Sequence, residues 1–486
     1  MSVRSRLRRL AGVAALITLL PALSAGAAAP PAEPPSTPVP ISTPDGQLMS
    51  YVLNTKKANV DQVREIRRAV VRAGGSVVQA WPQIGVVVAH ADVAAFREDV
   101  AYFAGRSLES VGATRSVAVS EGAPDAHRAA GSVGAERTTR VVADPREDEQ
   151  WDLRMIKAER AHRVTDGSRQ VVVGVLDSGI DADHPDLAEN IAVGKSVNCT
   201  DAGRPDRSAT GWQPTTSDHG THVAGTIAAA RNGVGIVGVA PNVRMASVKV
   251  VNDDGFIYPE YAVCGFVWAG LRGMDVTNNS YYVDPFQFWC DDQPDQHAAK
   301  EAVRRAVEWS TRQGVVHAAA AGNAAYDLSD KTTDTVSPND GEPVDRTINS
   351  GCHDIPAELD GVVTVSSLEQ FPADSGESRL SGFSNRGLGS IDVAAPGSRI
   401  LSTIVEGNGY GLKSGTSMAS PHVAGVLALM RSAHPGWKPA KMVRELRRQA
   451  DDKACAPTTA GAPCVGPVRE NSYVGDGVVD ALDAVR

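Results

Sequence analysis

The run Val171-Val172-Val173-Gly174-Val175-Leu176 restricts the fold more than any other stretch of the chain. Apolar and mostly β-branched, without polar alternation, it reads as a strand buried on both faces. Such a strand needs helices above and below it. Gly314-Val315-Val316 repeats the signal, and helical stretches such as Thr221 to Ala230 and Lys300 to Arg312 alternate with these strands. From about residue 149 the expected fold class is therefore α/β, a mainly parallel sheet with helices on both faces.

The part before residue 149 has a different character. Arg4, Arg6, Arg8 and Arg9 precede an apolar run from Leu10 to Leu20 and the small residues Ala25-Gly26-Ala27, the pattern of a signal peptide over 1–29. The apolar run is too short and interrupted to read as a membrane span, and no other candidate span follows. Residues 30–47, rich in Ala, Pro, Ser and Thr, read as a linker. Residues 48–120 read as a small α+β unit: strand 48–53, helix 60–72, strands 76–80 and 84–89, helix 92–103 and strand 115–119. Residues 121–148 lack periodicity and read as a cleavable connection, which leaves 149–486 as the main domain.

The expected export fits the six cysteines, which are too few for a disulfide-dense scaffold. Cys455 and Cys464 enclose a Pro/Thr/Gly-rich loop and suit a local bridge. Cys290 with Cys352 and Cys199 with Cys264 are further candidate pairs, although spacing alone leaves the connectivity open. A formal charge of −9 argues against general nucleic-acid binding.

Four short motifs carry chemistry. The first strand ends in Asp177-Ser178-Gly179, placing a carboxylate at the carboxyl end of a buried strand, where ligand sites of open α/β sheets gather. Asp218-His219-Gly220-Thr221-His222 opens a helix with a histidine suited to taking and returning a proton near neutral pH. Ala320-Ala321-Gly322-Asn323 closes a strand with a side-chain amide able to donate to an oxyanion. Ser417, in G-T-S-M-A-S-P-H-V-A-G, stands where an apolar helix begins, with Pro421 expected in its first turn. Taken singly, these are a turn aspartate, a packed histidine, an asparagine turn and a helix cap.

Together, D-S-G at 177–179, H-G-T-H-V-A-G at 219–225, A-A-G-N at 320–323 and G-T-S-M-A-S-P-H-V-A-G at 415–425 resemble the subtilisin-like serine proteases. The resemblance covers about residues 149–450. It implies a catalytic triad of Asp177, His219 and Ser417 with Asn323 at the oxyanion, and a secreted endopeptidase acting on proteins and peptides. It also implies that 48–120 is an inhibitory propeptide. Substrate would lie between Ser280-Tyr281-Tyr282 and Ala320-Ala321-Gly322. The family pattern has Leu-Gly after that serine, so Tyr281-Tyr282 departs from it and removes the usual basis for expecting a preference for large apolar residues.

The same resemblance implies a structural calcium ion. Its ligands would be the side chains of Gln150, Asp186 and Asn232 and the carbonyls of Ala230, Val234 and Ile236. His222, His184 and His422 read as packed scaffold. Gly233-Val234-Gly235-Ile236-Val237-Gly238 matches G-x-G-x-x-G but follows a helix, so a nucleotide reading fails its context. The competing functions are a catalytically silent binding protein on this fold and an esterase using the same triad. Against the esterase, the G-x-S-x-G elbow of the α/β-hydrolases is absent at Ser417.

Overall fold

The computed structural model describes residues 33–120, 143–455 and 463–486. The signal-peptide reading over 1–29 and most of the 121–148 connection lie outside them. Val172–Asp177 is a central strand of a nine-stranded sheet. It pairs in parallel with Arg244–Lys249 on one side and Val276–Asn279 on the other. Parallel pairing continues through Val316–Ala320, Val362–Gln370 and Val393–Pro396 in one direction and reaches Val197–Asp201 in the other. Short antiparallel strands, Ser378–Leu380 and Arg204–Asp206, lie at its margins.

Side chains alternate along a strand, so one strand feeds two cores. Val172 and Leu176 enter an apolar cluster with helices Pro259–Leu271 and Pro294–Arg312. Val173 and Val175 enter another with helices His219–Ala228 and Thr416–Ala433. The motif-bearing helices thus share one face of the sheet. The disulfides are Cys199–Cys264, Cys290–Cys352 and Cys455–Cys464. Among the described residues, no helix is long and apolar enough to cross a membrane.

The small N-terminal unit is an antiparallel sheet in the spatial order Ser76–Trp81, Val86–Ala91, Met49–Thr55, Leu108–Ala113. Helices Val60–Arg72 and Phe96–Ala104 pack against each other beside it. The last strand is Leu108–Ala113 and not 115–119 as the sequence suggested. Gly112 hid it: a Cβ there would lie 2.7 Å from the Asp295 backbone, so this glycine marks close contact with helix Pro294–Arg312. The second helix begins at Phe96, later than expected. The segment read as a linker also lies against the main body, for Ser36 Oγ donates to Asp292 at 2.6 Å and the Thr37 amide to the Thr347 carbonyl at 2.9 Å.

The unit sits on helices Pro259–Leu271 and Pro294–Arg312 through polar contacts as well as apolar ones. Asp295 accepts the Ala113 amide at 2.8 Å, and Arg305 pairs with Glu109 at 2.7 Å. Arg115 is buried, paired with the equally buried Glu260 and held 3.7 Å from the centre of the Tyr258 ring. Burial alone would push the Glu260 carboxyl up, but the Arg115 guanidinium outweighs it and holds the carboxyl below its usual range. Removing one member of a buried pair strands the other, at a cost of about 3–5 kcal/mol. Arg115→Ala is accordingly expected to lower the melting temperature of the uncleaved chain, and Arg115→Met with Glu260→Leu to recover much of the loss. Equal melting of Arg115→Ala and the parent would refute the role given to this pair.

Candidate active site

Asp177 is the last residue of its strand and His219 the first of its helix. The His219 Nδ1–H donates to Asp177 Oδ1 at 2.8 Å, and the same oxygen accepts the Ser178 amide at 2.7 Å. Burial alone would lower the His219 pKa. The Asp177 carboxylate outweighs it, helped by Asp218 and opposed by Lys413, so the imidazole stands above its ordinary value.

Helix Thr416–Ala433 has Gly415 in the cap position and no side-chain cap. Ser417 is therefore inside the first turn and caps nothing. Pro421 lies beyond that turn and has no N–H to give the carbonyl four residues earlier, which belongs to Ser417. Ser280 Oγ takes the missing donor's place at 2.8 Å. The Ser417 hydroxyl in turn donates to the Ser280 carbonyl at 3.2 Å. Asn323 Oδ1 accepts both the amide and the hydroxyl of Thr416, at 2.7 and 2.9 Å. That pairing turns the Nδ2 donors away from Thr416 and fixes the amide beside the serine.

Ser280-Tyr281-Tyr282 follow strand Val276–Asn279, and Ala320-Ala321-Gly322 close the neighbouring strand. Tyr281 donates to Asn279 Oδ1 at 3.3 Å, and the Tyr282 hydroxyl accepts from Asn339 at 3.0 Å. The other histidines bond as scaffold. His222 Nε2 lies 3.1 Å from the carbonyls of Ile400 and Gly411, and burial lowers its pKa to about 4. His422 bridges the Met418 carbonyl and Asp152, and His184 bonds the Gly409 carbonyl.

In the glycine-rich loop, Asp186 Oδ2 accepts the Ile236 amide at 3.0 Å and the Tyr410 hydroxyl at 2.9 Å, while its Oδ1 is buried without a partner. Burial pushes the carboxyl up to about 7. The Ala230 amide bonds the Asp186 carbonyl at 2.8 Å. Gln150 and Asn232 already use their side-chain oxygens, accepting the Val237 and Val234 amides at 3.0 and 2.9 Å. Asp144 enters the same loop: one carboxylate oxygen accepts the Gly233 amide at 2.5 Å and the other is buried and unpaired.

The profile of the subtilase family matches residues 168–472, more than half of the chain. The chain belongs to the subtilase family. Subtilisin E of Bacillus subtilis (strain 168) is 35% identical to this subtilase over 300 residues, covering 62% of this chain and 65% of that protein. The chain thus spans just under two thirds of that relative's length. Subtilisin of Bacillus pumilus is also 35% identical over 300 residues, with 90% of its own length covered. Among solved structures, fervidolysin from Fervidobacterium pennivorans, described as a keratinolytic enzyme related to subtilisin, superposes with a TM-score of 0.64 at 25% identity. That match covers 91% of this chain and 61% of fervidolysin. The epidermin leader peptide processing serine protease from Staphylococcus aureus shares the fold, with a TM-score of 0.66 at 21% identity over 90% of this chain and 98% of that one.

Sequence reasoning missed three residues around the site of this subtilase. Asn385 holds the wall that ends in Asn323, donating to the Ala321 carbonyl at 2.7 Å and accepting the Tyr326 amide at 2.9 Å. Asp144 lies in the 121–148 segment, whose lack of periodicity reads as a connection and marks no ligand. Asp354 lies in an irregular segment, and no local pattern marks it.

Proposed function

We propose that this subtilase is a secreted serine endopeptidase that hydrolyses peptide bonds in proteins and matures by losing its N-terminal segment. The observation that carries the reading is the 2.8 Å contact from His219 Nδ1 to Asp177 Oδ1. It leaves Nε2 as the basic nitrogen of the neutral ring. In the reaction the Ser417 hydroxyl exchanges the Ser280 carbonyl for His219 Nε2, gives up its proton there and attacks the substrate carbonyl carbon. Asp177 keeps the ring in the needed tautomer and stabilises the imidazolium. The Ser417 amide and Asn323 Nδ2 receive the oxyanion. His219 then protonates the leaving amine, and water repeats the sequence to free the acyl group. A fluorophosphonate probe is expected to modify Ser417; an unmodified serine would sink the triad assignment.

The disulfides and the exported-protein pattern at the amino terminus support an extracellular destination. The extensive docking of the 48–120 unit on the main body supports its role as an inhibitory propeptide, with 149–486 as the peptidase.

Calcium is proposed for the glycine-rich loop. Two buried carboxylates that each keep one oxygen without a donor, Asp186 and Asp144, are the chemistry a hard cation requires. Asp186 and the carbonyls of Ala230, Val234 and Ile236 would hold the ion, with Asn232 and Gln150 contributing their oxygens' remaining lone pairs. The ion would tie the loop together and take no part in the reaction. Without calcium, the raised Asp186 pKa makes the folded state bind more protons than the unfolded state between about pH 4 and 7, so stability falls as pH rises through that window. Saturating calcium should remove this slope and add about 2.7 kcal/mol at a hundredfold excess over Kd. Asp186→Asn should abolish both effects. A melting temperature indifferent to chelator at pH 7 would rule the site out.

A further inference from the structure

Asp354 is 1% exposed, and neither of its carboxylate oxygens has a hydrogen-bond partner. A buried, unpaired carboxylate is costly to the fold, and its position suggests what it serves. A Cβ built on Gly322, the residue before Asn323, would clash with Asn385 Nδ2 and lie 3.6 Å from Asp354 Oδ2, so Asn385 and the Asp354 carboxylate together back that wall of the cleft at its glycine. The next residue, Ile355, accepts the Val283 amide at 2.9 Å, which ties the same segment to the wall ending in Tyr282. Asp354 therefore stands where the two walls meet. The nearby cation is already committed, since Lys331 pairs with Glu358 at 2.7 Å and bonds the Leu328 carbonyl at 3.0 Å.

We propose that Asp354 is the floor of the pocket for the residue on the acyl side of the cleaved bond, and that this subtilase cuts after arginine or lysine. The inference rests on the triad reading above, because it needs that cleft to hold substrate. An arginine side chain passing Gly322 would lay its aliphatic stem along Tyr282 and bring a guanidinium to both carboxylate oxygens, the bidentate pairing that geometry favours. Burial pushes the Asp354 carboxyl well above its usual range, and Glu358 adds to the shift. An arriving guanidinium offsets both. An apolar residue leaves the acid unpaired, so discrimination has a physical source.

The test compares kcat/KM of the purified protein on matched peptide amides carrying Arg, Lys, Leu or Phe at that position. Arg and Lys are expected to exceed Leu by about 10²-fold or more. Asp354→Ser should collapse the ratio of the Arg to the Leu value by about 10-fold or more, and Asp354→Glu should retain a basic preference. Benzamidine, a small guanidinium-like probe, should compete with fluorophosphonate labelling of Ser417 in the parent protein, a readout that needs no variant. A parent that labels at Ser417 yet prefers Leu or Phe, or an Asp354→Ser variant that keeps its Arg preference, would overturn this inference and leave the triad standing. A parent that does not label at Ser417 would overturn both.

Discussion

Ser417→Ala is expected to fold, to keep residues 33–148 joined to the rest of the chain, and to lower kcat by about 10⁶-fold, a magnitude borrowed from subtilisin itself. The fold should survive because the hydroxyl makes one contact, 3.2 Å to the Ser280 carbonyl, at a half-buried position. The helix start is held by other groups, Thr416 on Asn323 and Ser280 on the Ser417 carbonyl. Only the bond-forming atom is lost. Intact mass of the purified variant reads the joined chain, and peptide hydrolysis reads kcat. A variant that matures normally in a protease-free host would overturn self-processing by Ser417 and leave the triad to the labelling test.

Asp177→Asn should cost about 10⁴-fold in kcat, the loss typical when the acid of such a triad becomes an amide, and should also move the pH profile. Burial works against a charged His219, and the Asp177 carboxylate is what lifts its pKa above the ordinary value. The base must be neutral to act, so a raised pKa puts the acid limb of kcat/KM at higher pH. Without the carboxylate, burial and Lys413 dominate, the pKa falls, and the acid limb shifts to lower pH. A merely structural aspartate would lower activity without displacing that limb. An acid limb at the same pH in both proteins would therefore separate His219 from Asp177.

The parts of this molecule that could be read from its sequence are those whose physics is local. A buried strand ending in Asp177, a helix opening on His219 and a turn bearing Asn323 are each encoded within a few residues. One parallel sheet then brings their ends together. Asp354 was illegible for the opposite reason. Its environment comes from Gly322, Val283 and Lys331, residues far from it in sequence that meet only in the folded chain. Leu108–Ala113 was missed because Gly112 reads as a break in isolation and as a close fit against Asp295 in context. Ser417 was legible as a residue at a helix start, while the exchange of Pro421's missing donor for the Ser280 hydroxyl was not, since it links positions 137 residues apart.

The small N-terminal sheet is fastened on both sides, by Ser36 and Thr37 before it and by Arg115 after it. Cutting the backbone within 121–148 breaks neither fastening. In the joined chain the two surfaces face each other at an effective concentration of about millimolar, whatever the bulk dilution. After the cut, the same contacts belong to a two-molecule equilibrium whose position depends on how much protein is present. On the propeptide reading proposed above, release of the peptidase would then be set by dilution after the cut, and the cut would only make that release available.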